Sequence, residues 1–332
     1  MIQDLDAICF SFNKWKAVRT RLAYFMLRGD IRALVNTVKF RGKTFVGQFQ
    51  HENTLQRYFS LTKKTKIYNF DHHLSHAASC FFPSPFDEAA ILTVDAIGEW
   101  ATASFGSAYK TTIKLTQAIS YPHSVGLFYS AFTYFLGFKV NEGEYKLMGM
   151  SAYGKPKYYD LIMKNLVDVK NDGSIHLNMK YFSFTYDKVM TNQNFSDLFG
   201  IPRREEDAKA EQVHYDIAAS AQLVLEDIMM KMTNHVHKKT GMKNLCLGGG
   251  VALNGVANYR ILKDGPFENL HIPPSPGDGG SAIGCAQYLY YCYKKNKRKI
   301  EHDVESIKNN VFVGPSYSND EIKSFLDTNK IH

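Results

Sequence analysis

The chain has 332 residues and a formal net charge of +8, with 45% apolar and 22% charged residues. That balance is globular and argues against disorder; no uninterrupted apolar stretch nears the ~20 residues of a membrane-spanning helix. The acidic start, Met1 to Asp6, lacks the basic n-region of a signal peptide, and five cysteines without CxxC spacing argue against a disulfide scaffold or thiolate zinc site. A reduced, cytoplasmic, non-membrane protein is expected.

In chain order, Leu5 to Phe10 reads as a buried strand and residues 14–38 as helical. Asp71 to Ser79 reads as a short helix with Asp71 at its N-cap, stopped by Pro83 and Pro85. Residues 89–94 form an apolar strand run ending at Asp95. A turn over Ala96 to Glu99 and a returning strand from Trp100 to Gly106 follow. The spacing of Val125, Phe128, Tyr129, Phe132 and Leu136 predicts a core-facing helix. Asn171-Asp172-Gly173 marks a turn before strand-like alternation. Residues 212–239 form a long amphipathic helix closed by Gly241. Leu245 to Leu247 is a short buried strand running into Gly248-Gly249-Gly250 and a further helix. Leu270 to Ile272 is another strand, and the loop 273–280 enters a helix over 281–293. Strands alternating with helices indicate an α/β fold, whose ligands gather where strands end in glycine-rich turns. The cluster Lys294, Lys295, Lys297, Arg298 and Lys299 reads as a solvated helix end, not a nucleic-acid patch.

Three places could carry chemistry. In Asp71-His72-His73-Leu74-Ser75-His76, His72 and His76 lie one helical turn apart on one face, the spacing of a bidentate metal grip, while His73 points elsewhere. Asp95 ends a buried strand and Asp278 stands in a glycine-rich loop at a helix start. Two histidines and two aspartates would make an N/O site suited to Fe, Mn or Zn. The turn Gly248 to Asn254 joins a strand to a helix, so a nucleotide could approach its backbone and an anion the helix N-terminus. Cys246 and Cys285 sit in apolar surroundings and read as core.

Stretches in this order resemble the O-carbamoyltransferases of nodulation-factor and antibiotic biosynthesis: residues 71–78, 92–100, 123–129, 142–149, 152–154, 173–184, 249–254 and 277–280. The resemblance spans nearly the whole chain. It implies an α/β transfer domain of the actin-like ATPase, ribonuclease-H-like architecture, with two lobes and a cleft. That family is related to the tRNA threonylcarbamoyladenosine transferase. The resemblance assigns His72, His76, Asp95 and Asp278 as iron ligands. It places Gly154, Gly249, Gly250 and Asn254 on the nucleotide side of the cleft, with Glu144 and Lys146 as further candidates.

The implied reaction has two steps. A YrdC-like domain makes carbamoyladenylate from carbamoyl phosphate and ATP; the transfer domain then moves the carbamoyl group to a hydroxyl of a sugar-containing acceptor, releasing AMP. The family opens with a strand and an acidic, histidine-bearing turn ahead of the segment matching Leu5 to Phe12. The resemblance therefore implies an incomplete first lobe over 1–87, a second lobe over 88–305 and, over 306–332, the lead-in to a YrdC-like domain absent from the chain. No general base is assigned, and a homodimer is compatible. Two other readings stay open: a non-catalytic metal- and nucleotide-binding remnant or subunit, and a tRNA-modifying transferase suggested by the positive charge.

Overall fold

The structure is a computed structural model that describes residues 5–20, 54–55, 57–58, 65–300 and 314–331. Strand β1 (Ala7–Phe10) pairs in parallel with β2 (Lys66–Asn69), Ala7 opposite Lys66. Residues 14–20 are helical; the rest of the helix expected to 38 lies outside the described residues. Helix α1 (His72–Phe81) follows, then β3 (Glu88–Val94), β4 (Ala101–Tyr109) and β5 (Thr112–Ser120). Next come α2 (Val125–Phe135), α3 (Glu144–Ser151), α4 (Tyr159–Asn165) and the hairpin β6 (Val167–Val169) and β7 (Ile175–Leu177). Helix α5 (Gln193–Phe199) leads to the long α6 (Gln212–Thr240), β8 (Asn244–Gly248), a 3-10 turn (Gly250–Leu253) and α7 (Gly255–Asp264). The order ends with β9 (Asn269–His271), α8 (Asp278–Gln287), a π-helical turn (Tyr288–Tyr293) and α9 (Asn319–Asn329). Two compact units result, Met1–Arg298 and Lys299–His332; of the second, α9 is described, its Ser318 and Glu321 forming a capping box.

The first unit is built on a five-stranded mixed sheet of order β5-β4-β3-β8-β9. Strand β4 runs antiparallel to both β3 and β5, while β8 and β9 continue from β3 in parallel. The apolar runs at 89–94 and 245–247 are continuous because both faces of these strands are covered. Alternation divides them. Ala90, Leu92, Leu245 and Leu247 join the large core under α2 and α6. Ala89, Ile91 and Cys246 join the smaller core with Ala77, Ala78 and Phe81 of α1. Parallel β3 and β8 (Ala90 opposite Leu245) therefore end at the same edge, where Asp95 and Gly249 leave the sheet.

Several sequence expectations hold. Gly241 adopts the left-handed conformation at the end of α6, with φ 63°. The Ser124 hydroxyl caps α2 by accepting from the Leu127 amide at 3.0 Å. Others change. Asp71 occupies the N-cap of α1 but makes no capping bond; its carboxylate instead takes up Lys16 and the Asn13 side chain. The helix expected at 281–293 starts at Asp278 and widens to a π-turn at Tyr288. In the basic cluster the four lysines are exposed, but Arg298 turns inward. Its guanidinium donates to the carbonyls of Phe81, Phe82, Ser84 and Phe86, which closes the C-terminal end of α1.

Helices α1 and α8 touch at backbone distance. A Cβ on Gly284 would stand 1.9 Å from the Ser75 carbonyl oxygen, so only glycine allows this approach. Gly284→Ala should push α8 off α1 and lower unfolding stability by about 1–3 kcal/mol in denaturant titration.

Buried Asp216 ties the loop after α3 to α6. It accepts from the Lys155 amide (2.9 Å), Gln212 (2.9 Å) and Lys157 (2.6 Å). Burial would raise its pKa, but Lys157 and these donors override it, taking it from 3.8 to about 2. A depressed carboxyl stabilises the fold above its unfolded value and loses that contribution as pH falls through the folded one. Asp216→Asn should therefore cost about 1 kcal/mol at neutral pH, because Lys157 is exposed and screened. The gap to the parent should close between pH 4 and 2 in pH-dependent thermal unfolding.

Candidate metal and ligand site

Four side chains from three segments meet at the carboxyl edge of the sheet. His72 and His76 come from successive turns of α1, Asp95 from the end of β3 and Asp278 from the first turn of α8. One ligand atom from each lies within 4.8 Å of all the others. Asp95 Oδ2 is 2.9 Å from both His72 Nε2 and His76 Nε2, and these nitrogens are 3.0 Å apart. Asp278 Oδ1 stands 3.4 and 3.5 Å from the same two nitrogens. Three of the residues are buried, whereas the Asp278 side chain is 79% exposed, so the cluster opens on one side only.

The surrounding groups aim the donors. The Ser11 carbonyl, 3.1 Å from His72 Nδ1, can only accept, so Nδ1 carries the proton and the Nε2 lone pair faces the cluster. The Ala96 amide donates to Asp95 Oδ1 at 2.7 Å and turns Oδ2 toward the imidazoles. Glu99, 3% exposed, accepts from the backbone amides of His72 (3.0 Å) and Asn13 (2.7 Å). It thus performs the capping expected of Asp71. His73 faces away from the cluster, as expected: Thr93 Oγ1 lies 2.7 Å from its Nδ1 and the Ala101 carbonyl 3.0 Å from its Nε2. Burial and the neighbouring imidazoles push His73 down to about 3, so it is a neutral brace.

The electrostatics of the cluster call for positive charge. Burial alone would lower the His76 pKa, but the carboxylates of Asp278 and Asp95 override it and raise the imidazole to about 9. Burial opposes ionisation of Asp95 as well, yet the two imidazoles hold it well below the usual carboxylate range. A metal ion fits these residues. Donors bound at about 2.1 Å and at right angles stand about 3.0 Å apart, the spacing of the His72, His76 and Asp95 atoms. His76 Nδ1 is buried without a hydrogen-bond partner among the described residues.

The cluster opens into a cavity of about 740 Å³ that Asp95 and Asp278 both line. Gly126 of α2, Glu144 and Tyr145 of α3, and the 3-10 turn from Gly250 also line it. First turns present unpaired amides and partial positive charge, so the cavity suits an anionic ligand. Gly249 turns the chain at φ 92°, where a Cβ would strike the Val94 carbonyl at 2.2 Å. A Cβ on Gly250 would meet Asp95 Oδ1 at 2.9 Å.

The remaining candidates separate. Glu144 lines the cavity, held by the Ser130 hydroxyl at 2.7 Å and the Asn141 amide at 3.1 Å. Asn254 is in the cavity wall, but its amide is occupied. It caps α7 through the Ala257 amide (2.9 Å) and pairs reciprocally with Gln222 at 2.9 and 3.0 Å. The Tyr129 hydroxyl also donates to Gln222 at 2.8 Å. Gly154 is away from the cavity lining: its missing Cβ lets the chain pass the Tyr215 carbonyl, which a Cβ would meet at 1.9 Å. Lys146 lines a different depression. Sequence reasoning missed Ser11, Glu99, Gln222 and Tyr145. Glu99 and Tyr145 stand inside motifs singled out above, but side-chain direction distinguishes them only in the fold.

The family model described as the carbamoyltransferase N-terminus matches residues 30–287. An uncharacterised Synechocystis sp. protein is 50% identical over 256 residues, covering 77% of this chain and 41% of that protein. The nodulation protein NolNO of Sinorhizobium fredii is 31% identical over 222 residues, 67% of this chain and 31% of that one. The chain thus spans less than half the length of these curated relatives. Among solved structures, T. kodakarensis HypF aligns with a TM-score of 0.36 and 14% identity over 73% of this chain and 38% of that chain.

The geometry predicts about one equivalent of bound divalent metal per chain, read by elemental analysis. His72→Ala/His76→Ala should remove it. Glu99→Ala should weaken metal binding about 10-fold by loosening the first turn of α1.

Proposed function

The chain belongs to the carbamoyltransferase N-terminal family, and on that footing we propose that it performs the transfer step of O-carbamoylation. A carbamoyl group activated as carbamoyladenylate is held in the cavity and passed to a hydroxyl of a sugar-containing acceptor, with AMP as the leaving group. The observation that carries this reading is the meeting of four ligand atoms within 4.8 Å at the edge of a cavity lined by helix first turns. The strand order β5-β4-β3-β8-β9, with two antiparallel and two parallel pairings, supports reading the sheet as a ribonuclease-H-like lobe of an actin-like ATPase architecture.

His72, His76, Asp95 and Asp278 would hold the metal, with iron favoured by the resemblance and Mn or Zn compatible with N/O donors. When bound, the ion supplies Lewis-acid polarisation of the carbamoyl carbonyl and neutralises phosphate charge. The chain's own residues do the positioning. The Ser11 carbonyl and Glu99 fix His72, and the Ala96 amide fixes Asp95. Amides of the first turns of α2 and α8 favour the phosphate of the adenylate. The exposed Tyr145 ring at the cavity offers a face for a planar base. In the transfer the acceptor oxygen bonds to the carbamoyl carbon, the carbon–oxygen bond to the phosphate breaks, and the acceptor proton leaves to a base. The adenylate would be supplied by a YrdC-like domain acting on carbamoyl phosphate and ATP.

Calorimetry with AMP tests this. Binding should require added Fe(II) or Mn(II), vanish in a chelator, and weaken at least about tenfold in Asp278→Ala. Asn254→Ala should chiefly lower stability, by about 1 kcal/mol for the lost cap. AMP binding that is unchanged by chelator and by Asp278→Ala would overturn the reading.

A further inference from the structure

On the side of α3 away from the cavity is a second concavity of about 430 Å³. Its lining includes Lys146 of α3, Tyr215 of α6, Phe138, Tyr153, Arg204 and the exposed Glu206. Arg204 is only 8% exposed. Its Nε donates to the Leu136 carbonyl at 2.6 Å, and Nη1 donates to the carbonyls of Ala208 and, at 3.5 Å, Glu206. These bonds anchor the guanidinium at the end of α2 and 5.0 Å from the Phe138 ring. Nη2 donates to no described residue, and no described carboxylate pairs with Arg204 or Lys146; Glu206 meets Arg204 through its carbonyl, not its carboxylate. A buried cation without a counter-ion is expensive to maintain. Its field is felt nearby: burial and the Arg204 charge push the His214 imidazole below its ordinary value.

We infer that this concavity binds an anionic, ring-bearing ligand of sugar size, its terminal oxyanion taken by Arg204 Nη2 and Lys146 and its ring body set against Tyr153 and Tyr215. The volume lies within the usual range for small-molecule sites. A planar guanidinium held rigid by three carbonyls presents its free edge to an oxyanion with little loss of freedom, and the flexible lysine adds a second positive charge. The two tyrosine rings, 6.1 Å between centroids, form an apolar wall against which the C–H face of a sugar can pack. Phosphate and carboxylate share this chemistry.

The test uses the purified chain at low salt, with glucose 6-phosphate, glucuronate and uncharged glucose as probes in calorimetry or ligand-observed NMR. At least one anion should bind and glucose should not; the anion that binds identifies the headgroup. Lys146→Ala and Tyr153→Ala change exposed side chains and should each weaken binding about tenfold without altering the circular dichroism spectrum. Arg204→Lys keeps the charge, loses the fork and should weaken binding further. Excess AMP should not displace the probe, which keeps this site distinct from the metal-side cavity. Absence of binding by both anions, equal binding of glucose, displacement by AMP, or unchanged affinity in Lys146→Ala and Arg204→Lys would overturn the inference.

Discussion

The structure turns on one carboxylate. Asp95 leaves the carboxyl end of a strand buried on both faces and places one oxygen 2.9 Å from each of two imidazole nitrogens. Such a group is costly to bury unless its charge is matched. The matching explains much of what surrounds it. Helix α1 must lie against the sheet edge so that His72 and His76 face it, and Gly284 must be small so that α8 can bring Asp278 alongside. The adjoining 3-10 turn begins with a glycine because the carboxylate occupies the space a Cβ would need.

A second layer of hydrogen bonds fixes that arrangement without touching its centre. Glu99, from the turn after Asp95, reaches back to cap α1. The same turn therefore supplies a ligand and the cap of the helix carrying two more. Ser281 of α8 donates to Ser11 at 2.8 Å, and the Ser11 carbonyl accepts from His72. Strand β1 is thus tied both to a histidine and to the helix that bears Asp278. His73 contributes from the opposite direction. Neutral and doubly hydrogen-bonded, it pins α1 to β3 and β4 and leaves its neighbours free to face the cluster.

Helix α3 divides two environments of opposite character. Its first residue, Glu144, and Tyr145 line the metal-side cavity, while Lys146 and Met150 line the cationic depression. Neighbouring residues on a helix diverge by about 100°, so a single motif serves both places. Tyr129 and Asn254 of the metal-side cavity wall are held by Gln222, so their polar groups are satisfied internally and form a rigid wall.

Much of this was legible in the residues themselves. The apolar runs before Asp95 and Gly248, the amphipathic pattern of 212–239 and the left-handed Gly241 follow from local periodicity and backbone sterics, which any chain carries in its sequence. The histidine spacing and the glycine turns marked His72, His76, Asp95 and Asp278 as candidates, because i, i+4 geometry is local and strand ends are where ligands gather, and the family resemblance joined the four as one ligand set. Other features depended on distance through space. Glu99 in place of Asp71 as the cap, Asn254 occupied by Gln222 from a helix 32 positions earlier, Gly154 as a packing site, and Lys146 lining the second depression rather than the metal-side cavity all depend on which side chains meet across the sheet and helices. Local sequence sets what a residue can do. Only the packed backbone fixes its direction and its partner, since hydrogen bonds and charge pairing act over about 3 Å and are blind to separation along the chain.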